Sequence, residues 1–381
     1  MLQKRHEAPQ PSIYTFKERG PRMKDALILV INPGSTSTKI AIFRNETNEM
    51  QKNITHSSEE LQHFKTLFDQ LEYRKEKIID TITSAGYSLE DITAIASRGG
   101  VLKPLTSGVY PFSDQMIDDL RTGRYMLHAS NLGAVIGQQL CQQYNIPGFI
   151  ADPVTVDEME DLARISGLNG IQRKSIWHAL NQKHVARKAS RKLRKHYEEV
   201  NLIVVHMGGG ISIGVHKKGR CVDVNNALNG EGPFSSERAG TLPTLGLVDL
   251  CFSGPYTHAE MKKLLAGRGG MVSHLGTNNA KDVEDQSEEG AEEPKKIMNA
   301  MIYQLAKEIG RASAVLKGQV DSIIFTGGMA YSPVIVKQLK AHLGFIGAPF
   351  DVYPGEHEME ALASNILQVL NGEMKAKSYE G

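Results

Sequence analysis

Two segments of the chain share one design: a short apolar run, a turn rich in glycine or hydroxyl side chains, and a second apolar run. The first joins residues 26–31 (ALILVI) to residues 40–43 through NPGSTSTK at 32–39. The second joins residues 201–205 (NLIVV) to residues 211–215 through HMGGG at 206–210, with a third short run at 221–224. Runs of this length bounded by turn residues read as strands. After the first copy come a helical pattern over 58–85, a strand at 92–96, helices between 113 and 144, and a strand at 148–151. After the second come helices over 244–265 and 295–316, a strand at 320–325, a third glycine turn (TGGM, 326–329), a helix, a strand at 350–353 and a last helix after Glu356. A hairpin-led, then βαβ-alternating pattern given twice predicts an α/β protein of two domains facing one another, with the ligand between them.

Length and charge narrow the function classes. At about 150 residues per domain, 381 residues make two ordinary cores, and 44 Lys plus Arg against 43 Asp plus Glu leave a net charge of +1. Such a balance gives no global field for nucleic acid or an anionic membrane. No apolar run approaches the ~18 residues of a spanning helix. Three cysteines, Cys141, Cys221 and Cys251, lie too far apart for a CxxC metal or redox site, which fits a reducing, cytoplasmic compartment. Residues 1–23 are polar, hold three prolines and lack the apolar stretch of a secretory signal; they read as a disordered leader or tail. A basic stripe at helical spacing (Lys183, Arg187, Arg191, Lys195, with Lys188 and Lys192) reads as a solvated helix face, a nucleic-acid groove being the alternative. The acidic run at 282–293 reads as lying just ahead of a helix, where it complements the N-terminal dipole.

Glycine is the one unusual composition entry, 36 of 381 residues against an average of about 7%, and it clusters in the turns. Without a Cβ, glycine lets backbone N–H groups approach phosphate oxygens, and hydroxyls and a lysine add donors. A tight hairpin uses glycine equally well, so the weight lies in three such turns, each following a strand, converging on one cleft able to hold a nucleoside triphosphate. A GxxxxGK[ST] loop is absent, as is a GxGxxG after the first strand, which excludes P-loop NTPases and simple dinucleotide-binding dehydrogenases.

The chain resembles the acetate and sugar kinase/Hsc70/actin superfamily and, within it, the acetokinase family, nearest its butyrate kinase branch. The matching segments are ILVINPGSTSTKIAIF from Ile28, SRGG from Ser97, RKSIWHALNQK from Arg173, VVHMGGGISIGVH from Val204, NGEGPFSSERAGTLPT from Asn229, LGTNNAKDVE from Leu275, FTGGMAYS from Phe325 and YPGEHEMEALA from Tyr353. They occur in the family's order from about residue 26 onward. The resemblance implies two RNase H-like, actin-like ATPase domains around a nucleotide cleft: domain I over 24–152, completed by the terminal helix at 357–381, and domain II over 153–356. It further implies ATP/ADP and Mg2+, a short-chain fatty acid or its acyl phosphate as substrate, and a homodimer or larger homo-oligomer. The implied reaction is butyrate plus ATP giving butyryl phosphate plus ADP, reversible and run toward ATP in fermenting cells.

The same resemblance assigns site residues. Asn32, Ser35, Thr36, Ser37 and Lys39 correspond to a first phosphate-facing loop; His206, Gly208, Gly209 and Gly210 to a second; Gly327, Gly328 and Met329 to a loop beside the adenosine. Arg98 and Arg238 correspond to arginines that hold the acyl carboxylate and the phosphoryl group in transit, and His178 to a histidine that stabilises that phosphoryl. Asp152 and Glu358 correspond to acidic residues associated with magnesium, and His128 falls near a further expected histidine. Ser236 stands where the family pattern has proline. Each residue has a plainer competitor: interface ion pairs for the arginines, a satisfied structural imidazole for His178, a turn initiator for Asp152 before Pro153, a first-turn carboxylate for Glu358. Met207, Met329 and Met359 read as packing.

The chemistry suits this residue set. A simple carboxylic acid ionises at about 4 to 5, so at neutral pH the acceptor is already an anion and needs no general base. Aligning two anions instead favours arginine forks, magnesium and fixed donors, and Asp152 then positions the metal or its waters instead of acting as a base. A kinase of sugar hydroxyls would need a carboxylate within reach of the hydroxyl; a nucleotide-gated interaction protein and a nucleic-acid binder are the alternatives of other classes.

Overall fold

The computed structural model describes residues 25–379, so the expected leader at 1–23 lies outside the described residues. The chain forms two mixed sheets. The first holds β1 (Leu27–Pro33), β2 (Ser37–Arg44), β3 (Thr47–Thr55), β4 (Ala94–Ser97), β5 (Val109–Pro111) and β6 (Gly148–Ala151). The second holds β7 (Asn201–Met207), β8 (Ile211–Lys217), β9 (Arg220–Val224), β10 (Ser322–Gly327) and β11 (Phe350–Pro354). Strand order is β3-β2-β1-β4-β6-β5 in one sheet and β11-β10-β7-β8-β9 in the other. In both, an antiparallel meander leads and its first strand then pairs in parallel with later strands. The duplicated design seen in the sequence is thus a duplicated topology, and the α/β expectation holds.

β1 and β7 are central, and their apolar residues are buried on both faces, which explains why they read as unbroken runs without alternation. The register sets Asn32 opposite Lys39 at the tip of the first hairpin and His206 opposite Ser212 at the tip of the second. On the first sheet, helix Glu358–Leu370 packs its Leu362, Ala363 and Ile366 against Ile28, Val30, Ala94 and Phe149. Helix Asn131–Tyr144 joins a separate core with Leu29, Ile31, Ile95 and Ile150. On the second sheet, helix Glu292–Val315 supplies Met301, Ile302, Leu305 and Ile309 to a core with Val205, Ile213 and Phe325. Helix Ala179–Lys192 covers the opposite face through Val185, Ala186 and Ala189 and also meets helix Glu358–Leu370.

Several local expectations change. The helical pattern over 58–85 is broken into Ser58–Leu61, a 3-10 turn Leu67–Gln70 and helix Leu71–Ser84, and the pattern over 244–265 into Thr244–Phe252 and His258–Gly267. The acidic run does not simply precede a helix: residues 282–288 lie inside helix Ala280–Glu288 and only Glu292 and Glu293 open the next. The basic stripe is solvated along Lys188, Arg191, Lys192 and Lys195, whereas Lys183 and Arg187 are withdrawn from water. Lys183 is fully buried on Glu158 at 2.6 Å, Arg187 faces Asp152 at 3.4 Å, and Lys195 pairs with Asp321 and Lys192 with Asp351. These cations tie the helix to its neighbours.

Candidate active site

The first turn is shaped from beneath by a residue the sequence reading passed over. Arg74, on the inner face of helix Leu71–Ser84 with Leu71, Ile78 and Ile82, is fully buried. Its Nη1 donates to Gly34 O (2.9 Å), Ser37 O (3.1 Å) and Thr38 Oγ1 (3.1 Å), its Nη2 to Ser35 O (2.9 Å) and its Nε to Gln70 Oε1 (3.0 Å). With the carbonyls drawn down onto the guanidinium, Ser35 and Thr36 stand exposed at the tip. Thr38 meets His56 Nε2 at 2.9 Å, and burial with the Arg74 charge lowers the His56 pKa to about 4. Lys39 reaches Glu356 at 3.2 Å.

His206 of the second turn stacks on His178, which precedes helix Ala179–Lys192. The rings of His178 and His206 lie 3.7 Å apart and 7° from parallel. The networks behind them fix their tautomers. Asn181 Nδ2 donates to the carbonyls of Glu356 (2.6 Å) and Gly355, which can only accept; its Oδ1 therefore faces His206 Nδ1 at 2.8 Å, and His206 carries its proton there. Gln182 Nε2 donates to Ser212 O and Ser212 Oγ, so the acceptor left for the Ser212 hydroxyl is His178 Nδ1 at 2.8 Å. Neutral His178 thus presents Nε2–H as a donor, while His206 presents an Nε2 lone pair. Burial holds both neutral: His206 falls to about 4, and His178 goes well below its ordinary value, pushed further by His206, Arg98 and Arg238. A phosphate oxygen could approach His206 Nε2 only after protonation, so at neutral pH His206 orients its stacked neighbour while the Gly208–Gly210 turn offers backbone.

Arg98 leaves the end of β4, its N–H on Ile31 O at 3.1 Å. Its Nη1 lies 3.2 Å from Glu358 Oε2, which also accepts from Asn32 Nδ2 at 2.7 Å. Glu358 Oε1 has no hydrogen bond among the described residues. Arg238 comes from the 229–244 loop; its Nη1 contacts Ala227 O at 3.3 Å and its buried Nε has no partner among the described residues. Behind it lies Gly210, where a Cβ would stand 2.3 Å from Nη1. Arg238 thus lies against the turn that His206 opens, and the charges of Arg98 and Arg238 both depress the His178 pKa. His128 meets Ser130 Oγ at 2.8 Å, and desolvation followed by the Arg98 charge lowers its pKa.

Asp152 stands apart from Glu358. Its backbone adopts φ +39°, and its buried Oδ1 accepts from Ser107 Oγ (2.6 Å) and Gly108 N (2.8 Å) while Oδ2 faces Arg187. Both oxygens are engaged, so among the two acidic residues assigned to magnesium, Glu358 has the clear oxygen a hard cation requires. Gly327 has φ +86°, and a Cβ there would lie 2.5 Å from Met207 O, a conformation and a space only glycine fits. Gly328 is exposed, but the Met329 side chain is buried in the second core, as are Met207 in that core and Met359 in the first. A cavity of about 400 Å3 beside the cluster is lined by Asn32, Lys39, Glu356 and Glu358, without the arginines or the stacked histidines.

Sequence reasoning missed Arg74, Asn181, Gln182 and Ser212. An arginine within the apolar stripe Leu71–Ile78–Ile82 was a usable signal for the first; the other three are ordinary polar residues whose partners lie 25 to 175 positions away.

Residues 166–365, just over half of the chain, match the model of the acetokinase family. Among solved structures, acetate kinase from Porphyromonas gingivalis superposes with a TM-score of 0.74 at 18% identity, covering 91% of this chain and 99% of that one. A propionate kinase from Francisella tularensis gives 0.71 at 18% identity (89% and 98%), and acetate kinase from Entamoeba histolytica 0.70 at 16% (88% and 98%). The two sheets and their order are therefore those of the acetate kinase, actin-like fold, and the chain belongs to the acetokinase family.

Proposed function

We propose that this protein is a carboxylate kinase that transfers the γ-phosphoryl of ATP in line to a short-chain fatty acid, and that the acid is butyrate, giving butyryl phosphate and ADP reversibly. The observation that carries the reaction class is the pair of guanidiniums, Arg98 and Arg238, acting on a neutral, donor-presenting His178. Two fixed cations and a donor stabilise charge on a phosphoryl group between two anions. Butyrate rests on the segment resemblances quoted above, since family membership extends to kinases of shorter acids.

In this reading the Ser35–Ser37 and Gly208–Gly210 turns cradle phosphate oxygens, and backbone at Gly327–Met329 borders the adenosine. Arg98 aligns the acyl carboxylate, Arg238 the phosphoryl in transit, and His178 Nε2–H donates to that group. Magnesium suits the clear oxygen of Glu358 and would neutralise charge between the phosphates when bound. Asp152, engaged by Ser107 and Arg187, acts by positioning. The segments 24–152 with 357–381, and 153–356, form two domains that close to exclude water, so that the acid instead of water takes the phosphoryl. A homo-oligomer is supported by helix Thr244–Phe252, which exposes Leu245, Val248 and Phe252 along one side, an apolar face that a second copy would cover.

Hydroxylamine trapping of acyl phosphate with MgATP across formate to valerate and isobutyrate, with ADP release measured over the same acids and a sugar panel, tests the proposal. A kcat/KM maximum at four carbons is expected, and Arg238→Ala should lower kcat by about 100-fold or more. Activity on sugars alone would overturn the reaction class, and a maximum at two or three carbons would overturn butyrate.

A further inference from the structure

A second cavity, of about 190 Å3, lies between helix Ala179–Lys192 and helix Glu358–Leu370, lined by His184, Arg187, Lys188, Arg191, Glu360 and Asn365 among others. Three of its walls are cationic. Arg187 is compensated by Asp152 at 3.4 Å, Lys188 more loosely by Glu360 at 3.9 Å, and Arg191 has no ion pair among the described residues. The decisive group is Asn365, which is 3% exposed. Arg187 Nη1 donates to its Oδ1 at 3.1 Å, which fixes the amide orientation, and its Nδ2 is buried without a partner among the described residues. A buried amide donor left unpaired is costly, and here its residue lines a cavity with three cationic side chains.

We propose that this cavity is an oxyanion site, built for inorganic phosphate or the phosphate end of a small ester, distinct from the proposed active site. Asn365 Nδ2 supplies a neutral donor pair, Arg191 a free fork and Lys188 a mobile charge. Such a set suits a compact acceptor bearing two charges. Glu46 and Glu360 also line the cavity and oppose the anion, which makes the affinity adjustable. His357 Nδ1 meets Glu360 Oε2 at 3.1 Å and holds that carboxylate to one side, while His184 Nε2 stands 3.5 Å from Oε1 without a hydrogen bond. The bound anion bridges the helix that begins after His178 to the helix that begins at Glu358, so its occupancy fixes the spacing of two elements of the candidate site. The binding claim does not depend on the carboxylate kinase reading.

The test is calorimetric titration of inorganic phosphate into the full chain without nucleotide, at constant ionic strength in chloride. Phosphate should also bind Arg238→Ala, which separates this site from the proposed catalytic one. The exposed double variant Lys188→Ala/Arg191→Ala should bind at least about tenfold more weakly, Asn365→Asp should lose binding, and Glu360→Gln should bind more tightly, with unfolding midpoints confirming that each variant is folded. Sulfate should compete and acetate should not. Wild-type affinity in the double variant, loss of all phosphate binding in Arg238→Ala, or displacement by chloride would each overturn the proposal.

Discussion

Replacing Arg74 by lysine probes how the first turn is held. The guanidinium serves five acceptors from two edges of its fork, four of them on the 34–38 turn. A lysine ammonium has three donors on one atom and cannot span Ser35 O on one side and Gly34 O and Ser37 O on the other, so at least two acceptors go unserved. A buried acceptor stripped of its partner costs about 1 to 3 kcal/mol. Because the tip of the turn is exposed, water recovers part of this, leaving an expected loss of about 2 to 3 kcal/mol. The freed carbonyls rotate outward, toward the side where phosphate would sit, so KM for MgATP should rise by about tenfold at saturating acid. Urea unfolding and steady-state kinetics with varied MgATP measure the two effects. An Arg74→Lys variant with wild-type unfolding midpoint and wild-type KM would refute the idea that this residue shapes the turn.

Gly210→Ala puts a Cβ 2.3 Å from Arg238 Nη1 and 3.1 Å from Ala227 O; the guanidinium must swing away, and kcat/KM should fall by about 100-fold while circular dichroism remains that of the native fold. Glu358→Gln removes the clear carboxylate oxygen and should raise the Mg2+ concentration for half-maximal rate by about tenfold, read from rates over a magnesium series. His206 stays neutral to about pH 4 when folded and protonates at 6.5 when unfolded. The unfolded state therefore binds the extra proton, stability falls as pH drops from 6.5 to 4, and this residue alone accounts for about 3 kcal/mol. His206→Gln, which keeps a donor toward Asn181, should make that slope shallower in urea unfolding measured between pH 4 and 7, the remainder coming from His56, His178 and His216.

Strands whose burial is two-sided were legible because burial dictates composition: β1, β4, β6, β7 and β10 all appear as apolar runs. β3 was not, since it is a polar edge strand in which Met50 is the one fully buried residue, and β5 has three residues, one of them proline. At the site, the glycine turns announced themselves, because close backbone approach leaves a compositional mark, as Gly210 and Gly327 illustrate. The histidine stack did not: His178 and His206 are 28 positions apart, and neither Asn181 nor Ser212 differs in kind from a surface residue until the chain is folded. Asp152 shows the same limit in reverse, because its sequence context does not reveal that Ser107, Gly108 and Arg187 occupy its oxygens.

The hydrogen bond from Asn32 to Glu358 joins residues 326 positions apart, and the helix beginning at Glu358 is what covers Ile28, Val30 and Phe149. During synthesis at about 5 to 20 residues per second, the first strands leave the ribosome roughly 15 to 65 s before the segment that shields them. For that interval an apolar sheet face stands open to water and to other nascent chains. A holding chaperone, or slow passage to the docked state, is the natural companion of such an arrangement, and yield in the cell should depend on translation speed more than on the stability of the finished molecule.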